Sequence, residues 1–190
     1  MDFEIKIIEF LQSGRSPFFD VSFQLISAIG STMGVIAACL LFLLFKRKLC
    51  FWYLFSYGFV YLTVSIMKNS IQRMRPFNVT DIIENIGDVV TGFSFPSGHA
   101  ACATAIAIFV GYFLFQYFKS KGTRVGIVLS CCLYVGLVCL SRMYLGKHFL
   151  TDVLAGVAVS AVICALGLTL MYIVNKRKKV KTNEITNGSN

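Results

Sequence analysis

Five long stretches of the chain are almost entirely apolar, and more polar connections separate them. They run over residues 21–45, 49–67, 99–118, 125–140 and 149–174. A helix needs roughly 20 mostly apolar residues to cross about 30 Å of hydrocarbon. The pattern therefore predicts membrane spans, and the fold class that we expect is all-α, a polytopic membrane helix bundle of about five transmembrane helices.

The first twenty residues follow a different pattern, because charges interrupt every apolar run. Phe3, Ile7 and Phe10 fall on one helical face, and Glu4 and Glu9 break the sequence between them. An apolar face opposite a polar one is typical of a helix that lies in the membrane surface. We therefore expect residues 1–20 to form an amphipathic surface helix. A short helix packed on protein, without lipid contact, is the alternative.

Basic residues divide unequally between the two sides that five spans create. One side receives eleven Lys and Arg, within 46–48, 119–124 and 176–181, and the other side receives seven. Since an excess of Lys and Arg marks the cytoplasmic side, the first side should be cytoplasmic, including a basic tail over 176–190. The amino terminus and the connections 69–98 and 141–148 should then be extracytoplasmic, with short helical structure in the longer loop.

Composition supports the membrane interpretation and removes some other classes. Hydrophobic residues make up 56% of the chain, charged residues 14%, and the mean hydropathy is +0.72, whereas ordinary soluble chains carry about 25% charged residues. The net charge of +9 then becomes a signal of orientation, and we expect no nucleic-acid partner. The seven Cys lie in or beside apolar stretches without paired spacing, so we interpret them as small apolar residues.

Three cations stand at span ends that face the predicted extracytoplasmic side. Lys68 and Arg75 follow the second span, and Arg142 closes the fourth. Ionisable side chains at such positions are costly and call for a functional explanation. Unpaired cations in mainly apolar surroundings need an anion, and an Arg can place two hydrogen bonds on one phosphate. The three residues therefore predict a phosphate site.

The start of the third span adds a second feature of a phosphate site. Ser97 is a suitable helix N-cap, and Gly98 allows another group to approach the backbone closely. A helix that begins there directs free N–H groups and the positive end of its dipole at an anion. The segment thus predicts a phosphate cradle without a Walker-type sequence.

Both histidines of the chain lie in these clusters. His148 and Asp152 are spaced i, i+4 and share a helix face. A carboxylate there can take the Nδ1 proton and leave Nε2 free to attack phosphorus, while His99 supplies a general acid. Each polar residue alone could equally be a packing group, a snorkelling cation or a helix cap. Their combination on one membrane face favours phosphoryl chemistry.

These motifs resemble the type 2 phosphatidic acid phosphatase family, which shares its site with vanadium haloperoxidases and glucose-6-phosphatases. The family motifs KxxxxxxRP, PSGH and SRxxxxxHxxxD are all matched in order and spacing. The matching residues are Lys68, Arg75 and Pro76, then Pro96 to His99, then Ser141, Arg142, His148 and Asp152. The family's bacterial membrane members often have six spans, whereas five and a surface helix are expected here.

The resemblance implies a role for each matched residue. His148 would form a phosphohistidine, Asp152 would orient it, and His99 would protonate the leaving group. The implied phosphate-binding residues are Lys68, Arg75, Ser97, Gly98 and Arg142. The resemblance implies no metal and no other cofactor.

We therefore expect a lipid phosphate phosphatase at the outer leaflet of a bacterial cytoplasmic membrane. Undecaprenyl diphosphate, phosphatidylglycerophosphate and phosphatidate all remain open as substrates, and the oligomeric state is open. Transfer of the phosphoryl group to another acceptor is one alternative, and a non-catalytic binder or transporter of lipid phosphates is another. The intact set of His148, Asp152 and His99 argues against a binder, because binding needs only the cations. A haloperoxidase is not favoured, since those relatives are soluble.

Overall fold

A computed structural model describes residues 2–187, and over this range the chain is all-α, with seven α-helices and no strand. The expected fold class is thus confirmed. A 3-10 turn, Pro76–Asn78, interrupts the long connection after the fourth helix. The last three residues of the predicted basic tail lie outside the described residues. The helices are α1 (Asp2–Ser13), α2 (Pro17–Ile29), α3 (Thr32–Phe45), α4 (Arg47–Ile71), α5 (Gly98–Tyr117), α6 (Lys121–Tyr144) and α7 (Leu150–Asn187).

Four segments of the described chain are helical, long and apolar enough to cross a membrane. They are Arg47–Asn78, Gly98–Tyr117, Lys121–Tyr144 and Leu150–Lys178. α2 and α3 pass the same test only as a pair, and they meet at a bend of 46°. The first predicted stretch, 21–45, is therefore a bent pair of helices, and the count of candidate spans is four, or five if the pair forms one.

The bend between α2 and α3 has a local cause. The N–H of Gly30 donates to the carbonyl of Ser27 and closes α2, and Oγ of Ser31 accepts the N–H of Met33 and opens α3. A Cβ built on Gly30 would lie 2.5 Å from Cγ1 of Val138. The missing side chain thus allows α6 to pack closely against the bend.

α5 occupies the centre of the bundle and packs against α3, α4, α6 and α7. Ala101 and Ala105 are buried on it, and small residues of this kind let membrane helices approach closely. Phe109 of α5 contacts Tyr53 at a ring distance of 5.4 Å, and Tyr53 contacts Phe42 at 5.3 Å. The aromatic core therefore joins α3, α4 and α5.

α1 lies at the same end of the bundle as the long connection. The side-chain amide of Gln12 donates to the carbonyls of Glu84 and Tyr144 at 2.9 and 2.8 Å. Ile8 is fully buried against protein, whereas Phe10 is 77% exposed. The predicted surface helix over 1–20 is thus shorter than expected, because α1 ends at Ser13 and Ser16 and Pro17 open α2. α1 has a protein-facing side, and lipid contact through its exposed side remains a prediction.

Gly156 of α7 lies against the first turn of α5. A Cβ at this position would come within 2.4 Å of the carbonyl oxygen of Ser97. We expect Gly156→Ala to force α5 and α7 apart and to lower the free energy of unfolding by roughly 1–3 kcal/mol, as overpacking does. Thermal unfolding in detergent measures the effect as a lower Tm.

Gly136→Ala is the matched control, because no atom lies within 4 Å of a Cβ built on Gly136 of α6. There the higher helix propensity of Ala, up to about 1 kcal/mol, should leave Tm unchanged or raise it. Equal Tm values for the two variants would contradict the assigned α5–α7 contact.

Candidate active site

The structure brings the eight predicted site residues to one end of the bundle, from four separate parts of the chain. Contacts between side chains and backbone link these parts directly. The eight are Lys68 near the end of α4, Arg75 in the connection, Ser97, Gly98 and His99 at the start of α5, Arg142 near the end of α6, and His148 and Asp152 around the start of α7.

His148 and Asp152 are linked through a serine. Nδ1 of His148 lies 3.7 Å from Oδ2 of Asp152, which exceeds hydrogen-bond distance. Oγ of Ser94 lies 3.3 Å from Nδ1 and donates to Oδ2 at 2.5 Å, and the N–H of Phe149 donates to the same oxygen at 2.8 Å. If Nδ1 carries the proton, it donates to Ser94, and Nε2 is the nitrogen left for chemistry.

His148 is buried with an exposed fraction of 3%. Burial lowers its pKa to about 3, against the opposing effect of Asp152, and the guanidinium groups of Arg142 and Arg75 lower the pKa further. The imidazole is therefore neutral at physiological pH. A neutral ring with a free lone pair is the form that can attack phosphorus.

Lys68 and Arg75 bind backbone carbonyls of two connections, the one between α4 and α5 and the one between α6 and α7. Nζ of Lys68 donates to the carbonyl of Phe93 at 2.8 Å. The guanidinium of Arg75 donates at 3.0 to 3.3 Å to three carbonyls, those of Gly92, Lys147 and Thr91. These acceptors carry no charge, and the carboxylate of Asp152 acts on the two cations only from beyond ion-pair distance.

Arg142 is buried and only partly satisfied. It donates from one terminal nitrogen to Oγ of Ser27 on α2 at 2.5 Å, and its Nε has no hydrogen-bond partner. Among the side chains that the structure describes, no carboxylate lies within 4 Å of the charged nitrogens of Arg142, Lys68 or Arg75. Buried unpaired donors of this kind are costly, and an anion would satisfy them.

Ser97 caps α5 and joins it to α7. Its Oγ accepts the N–H of Ala100 at 3.4 Å, and its own N–H donates to the backbone carbonyl of Asp152 at 2.9 Å. The first turn of any α-helix leaves N–H groups without partners inside the helix. Because α5 begins at Gly98, this positive helix end lies in the same region as the cations.

Arg73 is a residue that the sequence analysis did not select. One terminal nitrogen donates to Oδ1 of Asp152 at 2.7 Å and to Oγ1 of Thr151 at 2.6 Å, and the other donates to Oε2 of Glu4 at 2.7 Å. Its guanidinium also stacks on the ring of Phe149, 4.1 Å from the centroid. The sequence indicated only in general terms that a buried carboxylate such as Asp152 needs a cation to pair with, and it did not indicate which one.

Glu4 connects α1 to the site. Its Oε1 accepts both the N–H and the hydroxyl of Thr151, at 2.9 and 2.7 Å, and its Oε2 accepts from Arg73. Arg73 in turn contacts Asp152. α1 is therefore linked to the carboxylate of Asp152 through a single residue, Arg73.

A cavity of about 470 Å³ opens beside His99 and Arg142. α2 contributes one wall, which includes Val21 and Leu25, and Lys147 also lines the cavity. Within residues 2–187, no group of three His, Cys, Asp or Glu side chains is placed to hold a metal ion. The cavity thus combines basic side chains with an apolar wall.

A sequence profile of the PAP2 superfamily matches residues 49–178. All eight predicted site residues lie within this segment. The same segment contains α5, α6 and nearly all of α4. The match therefore includes both the site and most of the helices that position it.

Two curated relatives carry names of lipid phosphatases. Phosphatidylglycerophosphatase B of Bacillus subtilis is 36% identical over 111 residues, which are 57% of this chain and 48% of that protein. Lipid A 4'-phosphatase of Porphyromonas gingivalis is 29% identical over 175 residues, 86% of this chain and 70% of that protein. The aligned part of this chain thus spans about half of the Bacillus protein.

Two solved structures share the fold. The transmembrane PAP2-type phosphatidylglycerolphosphate phosphatase from Bacillus subtilis superposes with a TM-score of 0.77 and 23% identity, covering 91% of this chain and 86% of that one. LpxE of Aquifex aeolicus gives a TM-score of 0.69 and 22% identity, covering 86% of this chain and 93% of that one. This chain therefore shares its helix arrangement with both solved structures.

The contacts of Glu4 predict a stabilising role that depends on pH. Burial by itself would raise the pKa of Glu4, but hydrogen bonds from Thr151 and Arg73 hold it below its ordinary value of 4.5. Glu4→Ala should lower the free energy of unfolding by roughly 1.5–3 kcal/mol at pH 7, the range for hydrogen bonds to a charged group. Since the folded-state pKa is the lower one, this stabilisation is complete above about pH 4.5 and decreases as the pH falls further.

Glu9→Ala serves as the control, because Glu9 is an exposed carboxylate on the same helix. Thermal unfolding of both variants at pH 7 and at pH 4 or below measures the difference. A Tm of Glu4→Ala equal to that of Glu9→Ala at pH 7 would show that the α1 contacts contribute nothing to stability.

Proposed function

Because the chain belongs to the PAP2 superfamily, we propose that it is a membrane lipid phosphate phosphatase that works through a phosphohistidine on His148. One observation carries the proposal. A buried, neutral His148 stands among buried cations that have no carboxylate partner among the described side chains. This arrangement binds a phosphoryl group and presents a nucleophile to it.

The first half of the reaction forms the covalent intermediate. Nε2 of His148 attacks phosphorus, and the bond from phosphorus to the leaving oxygen breaks. His99 takes up a proton when the phosphate dianion binds and gives it to that oxygen, so the alcohol or phosphate departs without an extra negative charge. Lys68, Arg75 and Arg142, with the amino end of α5, bind the non-bridging oxygens and stabilise the charge that they carry in the transition state.

The second half of the reaction regenerates the enzyme. His99, now neutral, accepts a proton from a water molecule as the water oxygen attacks phosphorus. The P–N bond to His148 breaks and inorganic phosphate leaves. His148 is again neutral and His99 is again protonated, so all protons balance over the cycle.

Apolar space next to the site supports a lipid substrate. The cavity at His99 reaches Ala28 of α2, and a second, mostly apolar crevice of about 740 Å³ begins at the neighbouring Ile29 and runs between α3, α5 and α6. Both spaces are lined by residues of the bend between α2 and α3, the first by Ala28 and Ser31 and the second by Ile29. A head group in the first and a hydrocarbon chain along the second would fit this arrangement.

The distribution of charge supports a site that faces away from the cytoplasm. Lys46 and Arg47 lie beside Gln116 and Asn175, so α3, α4, α5 and α7 meet there at the end of the bundle opposite the site. By the positive-inside rule, that basic end is cytoplasmic. We propose an extracytoplasmic site in a bacterial cytoplasmic membrane, with undecaprenyl diphosphate, phosphatidylglycerophosphate or phosphatidate as substrate. The names of the relatives support lipid phosphates as the class.

Substituting the two histidines separates their roles. His148→Ala should lose turnover of lipid substrates by roughly 10³-fold or more and should trap no phosphoenzyme, because no nucleophile remains. His99→Ala should lose roughly 10²–10⁴-fold on lipid substrates, the usual contribution of a general acid. Its loss on p-nitrophenyl phosphate should be at least about tenfold smaller, because that leaving group departs without protonation.

Phosphate release and acid-quenched phosphoenzyme, measured on detergent-purified protein of unchanged Tm, check these results. Retained turnover in His148→Ala would overturn the phosphohistidine mechanism. Tight binding of lipid phosphates without turnover by the wild-type protein would instead favour a binder, and phosphorylated acceptor lipid in place of free phosphate would favour a transferase.

Chelation tests whether side-chain cations alone support the reaction. The mechanism places Lys68, Arg75 and Arg142 where a metal ion would otherwise neutralise the phosphoryl oxygens. Phosphate release from phosphatidate in detergent should therefore change by less than about twofold when EDTA is added, within the variation expected if no cation is removed. Loss of activity in EDTA, restored by a divalent metal, would contradict this mechanism.

A further inference from the structure

Lys147 is a buried cation that the proposed mechanism does not use. Its exposed fraction is 2%. Nζ donates to the side-chain oxygen of Asn85 and to the backbone carbonyl of Asp88. Both acceptors are uncharged, and no carboxylate oxygen lies within 4 Å of Nζ among the described side chains. A buried ammonium without a counter-charge is costly to maintain.

The surroundings of Lys147 are electrostatically unfavourable for a cation. Burial lowers its pKa to about 8, the nearby charges of Arg142 and Arg75 act in the same direction, and the carboxylate of Asp88, which also lines the cavity, opposes them. An anion held among these groups would reverse the effect. Lys147 thus resembles Arg142 in being a buried cation without a carboxylate partner within 4 Å among the described side chains, although Nζ of Lys147 has hydrogen-bond acceptors and Nε of Arg142 has none.

Lys147 lines the same cavity as His99 and Arg142. It directly precedes His148 in the chain, at a position that the motif SRxxxxxHxxxD leaves unspecified. The transferred phosphoryl group already has Lys68, Arg75 and Arg142. A fourth cation beside the leaving-group acid His99 is thus available for a part of the substrate that does not react.

We propose that Lys147 binds a second phosphate of the substrate, the one that remains on the leaving group. This inference rests on the proposed phosphatase function. In a lipid diphosphate, the terminal phosphoryl group is transferred and the inner one is the second anion. In phosphatidylglycerophosphate, the terminal monoester is transferred and the internal phosphodiester is the second anion. Phosphatidate has no second anion, so Lys147 selects against it.

Paired substrates that differ by one phosphate test this proposal. Wild type and Lys147→Gln are compared on farnesyl diphosphate against farnesyl monophosphate, and on phosphatidylglycerophosphate against phosphatidate with the same acyl chains. In at least one pair, the ratio of kcat/KM for the two-phosphate substrate to that for the one-phosphate substrate should fall at least about tenfold in the variant, mainly through KM. The pair that responds identifies the source of the second anion.

Three further variants test whether Lys147 acts through its charge on the second phosphate or only by holding the connection between α4 and α5 in place. Lys147→Arg keeps the charge and should retain most of the ratio. Asn85→Ala removes one contact of the Lys147 ammonium but leaves its charge, and Arg15→Gln removes a cation that pairs with Asp20 and Glu84 outside the cavity. Both should leave the ratio within about twofold of wild type.

Other outcomes have distinct meanings. If Lys147→Gln slows both members of each pair equally, or if Asn85→Ala reproduces its effect, Lys147 only anchors the loop and the proposal is overturned. If the wild-type protein releases phosphate from none of the four substrates, the proposed phosphatase function itself fails.

Discussion

Four cations of the site, Lys68, Arg75, Arg142 and Lys147, are held by carbonyl, amide and hydroxyl oxygens that carry no charge. Asp152 is already paired with Arg73, and Asp88 near Lys147 forms no ion pair with it. Buried cations without counter-charges are tolerated only where the surrounding structure holds them or a ligand neutralises them. The helix ends, the loop and the amino-terminal segment all serve to hold this charge in place.

The packing of the bundle explains how four distant segments reach one place. Close contact of α7 with the start of α5 at Gly156 brings Asp152 to Ser97. Packing of α2 against α6 brings Ser27 to Arg142. α1 closes the arrangement through Glu4, Thr151 and Arg73. The site thus depends on helix contacts along much of the described chain, including the part outside residues 49–178 of the family match.

The sequence was sufficient to predict what is encoded locally. Apolar stretches predicted the all-α bundle, because span length follows from bilayer thickness. The motif spacing identified the residues that the structure brings together. Ser94, Arg73 and Ser27 were missed, because their partners lie 54 to 115 residues away along the chain and no spacing rule connects them. The bend in the first predicted stretch was also missed, although Gly30 followed by Ser31 is a local helix-end signal.

The loop carbonyls of Gly92 and Phe93 occupy donors of Arg75 and Lys68. An arriving phosphate therefore competes with the protein's own backbone for these donors, and its affinity reflects the difference between two sets of hydrogen bonds. A lipid substrate adds the burial of its hydrocarbon to that difference, whereas inorganic phosphate cannot. Under the proposed function, these loop carbonyls lower the affinity of the site for free phosphate, so the phosphate that the reaction releases is retained less tightly than it would be without them.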